Sequence, residues 1–422
     1  MWENWGKNQQ SSAAIAFPKS LDDLRQIIST QETPRVVGAG HSFTPLVGEA
    51  SRIVSLKDLP DTPLQKAPND LVWMNANKRL KQLSPALGDQ GMAFRNLGDI
   101  NEQTLAGAVS TATHGTGETL PCLSAEVQNA KMMLASGEII DTQGDPTGEL
   151  VEAARVSLGV LGILLEAQVS LVPKYYLRRR VEMNHLSDTL AHMHDLWANH
   201  RNFEFFYIPW SQRTLCIRHD LADGPKGQPP KDLDNLAVYG LRFARLLGRL
   251  HPSLRRQALA LLSTVQSDED YAEESWRVLC SQRNVRFVEM EYHIPPEAAH
   301  DVLTEVIQRT ELKHPDIFFP IEVRKTSGDN GWLSPFQNGR RVSIAIHTAV
   351  TDSFASYFED IEPIFLAAGG RPHWGKLHSL EFSDMEKLYP DFNRFCSLRE
   401  QLDPRRKFLN PYLRRLLVGG IS

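Results

Sequence analysis

The chain has 422 residues, 41% hydrophobic and 23% charged, which is typical of a globular protein too long for one hydrophobic core. Its net charge of −5 argues against a nucleic-acid-binding protein, because such proteins usually carry an excess of basic residues. The absence of a long apolar run and of a secretory signal pattern favours a cytoplasmic protein with no transmembrane segment. Reduced thiols are expected because no CxxC pair occurs among Cys122, Cys216, Cys280 and Cys396.

Short strands alternate with helices over residues 1–173. Ser20 is predicted to cap a helix whose apolar residues recur at helical spacing. The pair Ser136-Gly137 predicts a tight turn between two strands. Apolar, β-branched runs predict short strands at residues 35–37, 53–56, 71–74 and 132–140. We therefore predict an α+β domain with many turns in this part of the chain.

Longer helical patterns begin near residue 174. Residues 186–199 and 236–262 have helical periodicity, and a Gly- and Pro-rich loop at 223–230 separates them. Alternating patterns predict strands at residues 285–294 and 343–350. These patterns indicate a second, mixed α/β domain over residues 174–376, with residues 377–422 returning to the first domain.

A glycine-rich segment, Gly38-Ala39-Gly40-His41-Ser42, directly follows the strand predicted at residues 35–37. Glycines let backbone N–H groups approach a phosphate closely, and Ser42 adds a hydroxyl donor. Tight turns without a ligand have the same pattern. A Rossmann loop needs a third glycine where Phe43 stands, and a Walker loop needs a GK[ST] sequence, so a nicotinamide or nucleotide site of either type fits poorly.

Two further segments are rich in small residues. Residues 105–117 end in Ser110-Thr111-Ala112-Thr113-His114-Gly115-Thr116-Gly117, whose amides and hydroxyls suit the edges of a flat ring system. Gly159 and Gly162 lie in an apolar run, which indicates close backbone packing. Each segment also has a plainer interpretation, as a hydrogen-bonded loop or as a bulged strand.

Together these segments resemble the vanillyl-alcohol-oxidase-type FAD-binding domain, and more narrowly the aldonolactone and alditol oxidases. Trp5, E-V-R at 322–324, H-W-G-K at 373–376 and F-L-N-P-Y at 408–412 extend the resemblance over nearly the whole chain. It implies a two-domain flavoprotein with a PCMH-type FAD-binding domain and an α/β cap. The cofactor-binding candidates are then Gly38, Ala39, Gly40, His41, Ser42, Phe43, Asp99, Ser110, Thr113, His114, Gly115, Gly117, Gly159, Gly162, Ile163 and Asn410.

In enzymes of this kind a histidine in the first loop is joined covalently to the 8α-methyl group of the flavin, and His41 matches that position. The attachment requires a neutral imidazole nitrogen that adds to the activated methyl carbon. The resemblance therefore implies FAD bound covalently through His41.

The substrate side is predicted from strand alternation. Glu322 and Arg324 share one face of a strand, where they can form an ordinary surface ion pair or bind a polar ligand. By resemblance they bind the substrate hydroxyls, and Lys376 reaches flavin N1 and the C2 carbonyl, where negative charge accumulates. His347 and Glu322 are both candidates for the base that takes the hydroxyl proton.

The resemblance implies hydride transfer from a CH–OH group to flavin N5, with O2 as the simplest acceptor and H2O2 as its product. Asp99 stands where alditol oxidases carry a serine that approaches the substrate, and the L-G-D-I sequence is more similar to the lactone oxidases. We therefore predict an aldonolactone substrate, of the D-arabinono- or L-gulono-1,4-lactone type. The alternatives are an alditol or xylitol oxidase, a lactone dehydrogenase with another acceptor, and a flavin-binding sensor without turnover.

Three other features indicate no further site. His192 and His194 face different directions on a helix, so we predict no metal site there. The arginines of residues 242–256 fit the basic solvent face of a core helix better than a membrane-surface helix. The acidic run Asp268-Glu269-Asp270 is predicted to be solvated.

Overall fold

The computed structural model describes residues 1–230, 234–265, 269–282 and 285–420. Within these residues the strands are β1 (Trp2–Glu3), β2 (Gln10–Ser11), β3 (Ile15–Ala16), β4 (Pro34–Val36), β5 (Arg52–Val54), β6 (Gln65–Ala67), β7 (Leu71–Asn75), β8 (Met92–Ala93), β9 (Val127–Met133), β10 (Ile139–Asp141), β11 (Ile163–Ser170), β12 (Val172–Pro173), β13 (Tyr176–His185), β14 (Asn202–Ile208), β15 (Arg213–Ala222), β16 (Glu269–Glu274), β17 (Phe287–Ile294), β18 (Ile321–Thr326), β19 (Arg341–Ala349) and β20 (Arg371–Pro372). The α-helices there are α1 (Leu21–Thr30), α2 (Leu80–Gly88), α3 (Leu105–Ser110), α4 (Glu149–Arg155), α5 (Leu186–Asn199), α6 (Asp234–Leu250), α7 (Pro252–Val265), α8 (Ser275–Leu279), α9 (Ala299–Lys313), α10 (Ala355–Ala367), α11 (Phe382–Leu388), α12 (Phe392–Leu402) and α13 (Pro411–Leu417).

Two sheets organise the N-terminal half. Strands β3 and β4 both pair in parallel with β5, and α1 connects them. The Ser20 hydroxyl accepts a hydrogen bond from the Asp23 amide at 3.1 Å, which confirms the predicted N-cap of α1. The second sheet has the antiparallel order β10-β9-β11-β7-β6, and its apolar residues pack against α2 and α3.

The C-terminal half is built on an eight-stranded antiparallel sheet with the order β16-β13-β15-β14-β18-β19-β17-β20. Alternate residues of β17, such as Met290 and Tyr292, join a core with helices α5, α9 and α10. The intervening residues Glu289, Glu291 and His293 are also buried, and they project from the opposite face of the sheet. The sheet therefore presents a polar face on the side away from these helices. The predicted α+β class is confirmed.

The helical pattern predicted at residues 236–262 is confirmed, and it is divided between two helices, α6 and α7. Pro252 begins α7, where its missing N–H costs no helical hydrogen bond, and the chain turns at His251. In the predicted acidic run, Asp268 lies outside the described residues and Asp270 accepts a hydrogen bond from Arg178 at 2.6 Å. Among the described helices, none is both long and apolar enough to cross a bilayer.

Candidate active site

A cavity in the N-terminal half brings together three segments that are distant in sequence. Its wall includes the loop after β4, one side of α3 and the chain that leads into β11. The predicted cofactor residues that line it are Gly38, Ala39, Gly40, His41, Ser42, Ser110, Gly159, Gly162 and Ile163. Its wall also contains residues that were not predicted, among them Arg35, Asn77, Gln103, Thr104, Gly107, Thr111 and Phe408.

The geometry of this wall requires glycine at several positions. Gly40 and Gly159 have φ values of +69° and +66°, in the left-handed region that side chains rarely adopt. A Cβ atom on Gly38 would lie 2.3 Å from Thr104 Oγ1, so a larger residue there would displace α3. The wall therefore presents backbone amides and small hydroxyls, which is the donor set that a dinucleotide pyrophosphate and a flat ring need.

Arg35 joins the segments that form the cavity. Its guanidinium donates hydrogen bonds to the carbonyl oxygens of Leu46 at 2.9 Å, Gly159 at 2.9 Å and Phe408 at 2.8 Å, and also to that of Leu158. Burial lowers the pKa of Arg35 to about 10, so the guanidinium stays charged at neutral pH. One side chain thus connects the first loop, the third glycine segment and the C-terminal part of the chain.

Two of the predicted cofactor residues support the first loop and do not line the cavity. Phe43 is buried in the core, and Lys376 Nζ lies 5.2 Å from the centre of its ring. Asn410 caps α13 by accepting from the Leu413 amide at 3.0 Å, and its amide group donates to the Pro45 carbonyl at 2.8 Å. Both residues hold the loop in place.

The second predicted segment, residues 105–117, lines the cavity only in its first part, along α3 and as far as Thr111. Ser110 lines the cavity, and the Thr113 hydroxyl accepts a hydrogen bond at 3.0 Å from Gln103, which also lines it. His114 leaves the cavity, since its Nε2 atom lies 3.0 Å from the carboxylate of Glu291 on the polar face of the large sheet. The segment therefore connects the cavity to the cap.

Gly115 and Gly117 serve this connection by close packing. A Cβ atom on Gly115 would lie 2.2 Å from the carbonyl oxygen of Leu97, which leaves no room for a side chain. The Gly117 amide donates to the Lys325 carbonyl at 2.7 Å, and this bond continues the segment along β18. Gly115 thus packs within the N-terminal half and Gly117 joins that half to β18, and neither residue lines the cavity.

Arg324 is the centre of a buried charged cluster on the cap side. Its guanidinium lies 3.0 Å from Glu291, 3.5 Å from Asp99 and 3.6 Å from Glu322. Burial alone would lower the pKa of Arg324, but the carboxylates of Glu322 and Glu291 outweigh burial and raise it well above its ordinary value. Asp99, predicted with the cofactor residues, therefore belongs to this cluster.

The two glutamates beside Arg324 are shifted in opposite directions. Burial raises the pKa of Glu322 well above its usual range, and although Arg324 opposes this shift, the charge of Asp99 reinforces it. Burial also disfavours ionised Glu291, but Arg324 and His114 outweigh it and hold its pKa well below its usual range. The surroundings thus favour the ionised form of Glu291 and disfavour that of Glu322.

Glu289 lies between Lys376 and His347, the two other predicted catalytic residues. The Lys376 ammonium pairs with one of its carboxylate oxygens, and His347 Nε2 lies 3.7 Å from the other. His347 Nδ1 lies 3.1 Å from the Pro320 carbonyl oxygen. Because a carbonyl oxygen only accepts, Nδ1 carries a proton, and in the neutral ring Nε2 then holds the lone pair. The structure also brings Glu289, Glu322 and His347 within 4.8 Å of one another.

The loop that contains Lys376 is fixed on the first glycine-rich loop. The Phe43 amide donates to the Gly375 carbonyl at 2.7 Å, and the Thr44 hydroxyl donates to the Trp374 carbonyl at 3.0 Å. These backbone contacts place the cap-side lysine beside the cavity wall.

His41 lies in the cavity wall near this lysine. Its ring stacks on Trp5, with 5.6 Å between the ring centres. Burial lowers the pKa of His41 to about 4, and the positive charge of Lys376 adds to this shift. The imidazole is therefore neutral at physiological pH.

Sequence reasoning did not identify three of the residues that organise the site, Arg35, Glu289 and Glu291. The strand F-V-E-M-E-Y-H-I carries acids at alternate positions between apolar residues, and this pattern could have identified Glu289 and Glu291. Arg35 had a weaker signal, a lone charge in a short β-branched run.

The whole fold is similar to cholesterol oxidase from Brevibacterium sterolicum, with a TM-score of 0.77 over 99% of this chain and 96% of that one. The two sequences are 16% identical, so this likeness concerns the fold alone. A family profile described as an FAD binding domain matches residues 12–143, and one described as D-arabinono-1,4-lactone oxidase matches residues 167–416.

The matched domains and relatives define an FAD-dependent oxidoreductase, as the sequence predicted. The chain belongs to the D-arabinono-1,4-lactone oxidase family and is an aldonolactone oxidoreductase. It is 33% identical to L-gulono-1,4-lactone dehydrogenase of Mycobacterium tuberculosis over 99% of both chains. It is 27% identical to L-gulonolactone oxidase of Bos taurus over 98% of both, and 25% identical to D-arabinono-1,4-lactone oxidase of Yarrowia lipolytica over 97% of this chain and 95% of the relative.

Proposed function

We propose that the protein oxidises the CH–OH group of an aldonolactone of the D-arabinono- or L-gulono-1,4-lactone type and passes the electrons to O2, which becomes H2O2. The observation that carries this proposal is the buried cluster around Arg324. Through Glu322 and Glu289 this cluster reaches Lys376, whose charge acts on His41 in the wall of the cavity where family membership expects FAD. Asp99 in this cluster supports a lactone over a polyol, because it stands where the alditol oxidases have serine.

We propose that residues 1–173 form the FAD-binding domain, that residues 174–376 form the cap and that residues 377–422 return to the first domain. The hydrogen bonds from Arg35 to Phe408 and from Asn410 to Pro45 support this division, because they join the C-terminal segment to the first loop. A cytoplasmic location is proposed as well, since Cys122, Cys216, Cys280 and Cys396 are free thiols.

The cavity fits FAD, and we propose that the amides of residues 38–42 hold the pyrophosphate. The two residues that require glycine through their positive φ, Gly40 and Gly159, lie on its wall and allow a close approach. Covalent attachment through His41 is proposed because its neutral imidazole can act as the nucleophile. When bound, FAD supplies the acceptor for the hydride that leaves the carbinol carbon.

On the cap side, Arg324 and the carboxyl group of Glu322 would hold the substrate hydroxyl groups by hydrogen bonds. His347 would take the hydroxyl proton at Nε2, since its Nδ1 proton is directed at the Pro320 carbonyl. The Glu289 carboxylate would stabilise the imidazolium that forms, as paired carboxylates do for catalytic histidines. Lys376 supplies a positive charge next to His41 and the cavity.

A lactone dehydrogenase is the second candidate. The relative that is 33% identical carries the name L-gulono-1,4-lactone dehydrogenase, whereas the Bos taurus and Yarrowia lipolytica relatives carry oxidase names. The two candidates share the site and differ only in the electron acceptor.

Two experiments test the proposal. Purified protein is mixed with aldonolactones and polyols, and turnover is followed once as H2O2 release and once as dye reduction. Peroxide release with lactones supports the oxidase, dye reduction without peroxide supports the dehydrogenase, and turnover of polyols alone contradicts the lactone assignment.

The covalent link is tested separately by acid denaturation. Visible flavin absorbance should stay with the wild-type polypeptide and should move to the supernatant in His41→Ala. Release of all flavin from the wild-type protein would contradict the link while leaving FAD binding intact.

A further inference from the structure

Helices α6 and α7 form a pair on the cap whose inner side is attached by two arginines. The guanidinium of Arg245 lies over the ring of Phe318, 4.7 Å from its centre. That of Arg255 lies 3.4 Å from the ring centre of Trp210 and donates to the Ile317 carbonyl at 2.6 Å. The expected basic solvent face is therefore only partly correct, because both of these arginines are buried against the cap.

The outer face of α6 is apolar instead. Tyr239, Phe243, Leu246 and Leu250 follow one another at spacings of four, three and four residues, so they form one stripe along the helix. Their exposed fractions are 62%, 60%, 47% and 77%. Single exposed apolar residues are ordinary, but a continuous stripe on one helix face indicates a surface that contacts something other than water.

Positive charge accompanies this stripe. Residues 238–262 contain five arginines and neither Asp nor Glu, although the whole chain has a net charge of −5. Arg242, Arg249 and Arg256 are exposed. Helical spacing places Arg242 and Arg249 seven residues apart, along one border of the stripe. Arg249 also pairs with Asp316 at 2.7 Å, in a pair that is more than half exposed on both sides.

We propose that the outer face of α6 lies on the surface of an anionic lipid bilayer. The aromatic and leucine side chains would enter the boundary between headgroups and acyl chains, and the arginines would contact lipid phosphates, as in interfacial amphipathic helices. A second copy of the chain fits this face less well, because face-to-face packing would bring two sets of arginines together, and residues 238–262 contain no Asp or Glu to pair with them. The buried Arg245 and Arg255 hold the helix pair on the cap, so that membrane contact and lactone oxidation are carried by separate surfaces.

The test uses the full-length holoenzyme in vesicle sedimentation. One set of vesicles is phosphatidylcholine alone, and the other contains about 30% phosphatidylglycerol. The wild-type protein should sediment with the anionic vesicles, and the bound fraction should fall as salt is raised because the arginine contribution is screened. The double variant Phe243→Gln/Leu250→Gln removes apolar area without changing charge, and its vesicle partition coefficient should fall about tenfold or more.

Two matched variants separate the contributions. Leu221→Gln changes a leucine that is 68% exposed on β15, and it should bind vesicles like the wild-type protein. Arg242→Gln/Arg256→Gln should weaken binding to anionic vesicles and leave the small binding to neutral vesicles unchanged. Flavin content and lactone turnover should stay at wild-type values in all of these variants, which shows that they are folded.

The proposal is overturned if the wild-type protein fails to sediment with anionic vesicles, or if the Phe243/Leu250 variant binds them as well as Leu221→Gln does. Size-exclusion chromatography supplies the other decisive result. A wild-type dimer that becomes a monomer in Phe243→Gln/Leu250→Gln, without vesicle binding, would assign the face to a second copy of the chain and exclude the lipid.

Discussion

The cavity of the N-terminal half and the charged cluster of the cap are constructed in different ways. The cavity wall combines apolar side chains with small residues and with glycines such as Gly40 and Gly159, whose positive φ values shape its backbone. The cluster consists of long charged side chains, with Arg324 between the carboxyl groups of Glu291 and Glu322. Because the cavity depends on backbone geometry and the cluster on charge balance, substitutions should affect the two regions in different ways.

The difference also separates binding from chemistry. A wall of amides and hydroxyls binds a large ligand through many weak contacts, so a single side-chain change there has a limited effect. A buried charge cluster is sensitive to each member, because removal of one charge leaves its partner buried and unpaired. The predictions below test this contrast, from the largest expected effect to the smallest.

The largest effect is expected from Arg324→Met. It leaves the carboxylates near Arg324 without their counter-charge, so we expect a loss of about 3–5 kcal/mol in the free energy of unfolding and at least a roughly thousandfold loss of lactone turnover. Urea unfolding and steady-state kinetics measure the two quantities. The control is Arg178→Met, which breaks a surface pair with Asp270 and should leave the free energy of unfolding nearly unchanged. Equal effects of the two variants would contradict the central role of Arg324.

Arg35→Met tests the one charged side chain that organises the cavity. The carbonyl oxygens of Leu46, Leu158, Gly159 and Phe408 lose their donor, and we expect a loss of about 3 kcal/mol together with protein that purifies with less FAD. Absorbance of bound flavin per polypeptide gives the FAD content. The exposed Arg25 also donates to a carbonyl oxygen, that of Gly137 at 3.0 Å, so Arg25→Met is the matched control and should keep full FAD content.

Glu289→Gln keeps the shape of the side chain but removes the charge shared by Lys376 and His347. We expect kcat to fall about 10- to 100-fold with a smaller change in KM, since the charge acts mainly on the proton and hydride steps. Glu166→Gln breaks a comparable pair with Lys131, 2.7 Å apart in the five-stranded sheet, and should leave kcat unchanged. A KM effect alone in Glu289→Gln would assign this residue to substrate binding.

The smallest effect concerns pH. The folded pKa of Glu322 is raised, so the folded state keeps a proton that the unfolded state releases above about pH 4. The stability that Glu322 contributes is therefore full at low pH and is lost as pH rises toward its folded pKa. Glu322→Gln removes this loss. The free energy of unfolding of the variant should therefore increase relative to that of the wild-type protein as pH rises.

Glu291→Gln provides the contrast, because its folded pKa is lowered and its contribution is present above the unfolded pKa. This variant should be less stable than the wild-type protein at neutral pH, and the difference should shrink as the solution is acidified. Urea unfolding at about pH 4 and about pH 8 measures both variants. The same sign for the two variants would show that Glu322 and Glu291 do not differ in protonation.

Local sequence patterns were sufficient for most elements and for the cavity. The N-cap at Ser20, the helix Leu186–Asn199 and the strands around Met290 and Ile344 follow from short-range periodicity and capping, and all are present. Four of the predicted glycines, Gly38, Gly40, Gly159 and Gly162, line one cavity, and their assignment to a cofactor stays a prediction.

The tertiary structure decided which side of each element is buried, and the sequence alone does not contain that information. Thr113, His114, Gly115 and Gly117 were assigned to the cofactor, but the packing of β18 directs the last three of them to the cap. Arg245 and Arg255 point inward while the stripe of α6 points outward, because the rings of Phe318 and Trp210 are available on the cap for stacking.

The sequence by itself determined the class of domain, the glycine-rich loop that contains His41 and the placement of Glu322 and Arg324 on one strand face. It could not determine that Arg35 connects the segments of the cavity wall by hydrogen bonds or that Glu289 lies between Lys376 and His347. Those contacts join residues 11 to 373 positions apart, and a buried charge is tolerated only where the folded chain supplies its partners. Local conformation is fixed by neighbouring residues, whereas the balance of buried charge is fixed only when distant segments meet.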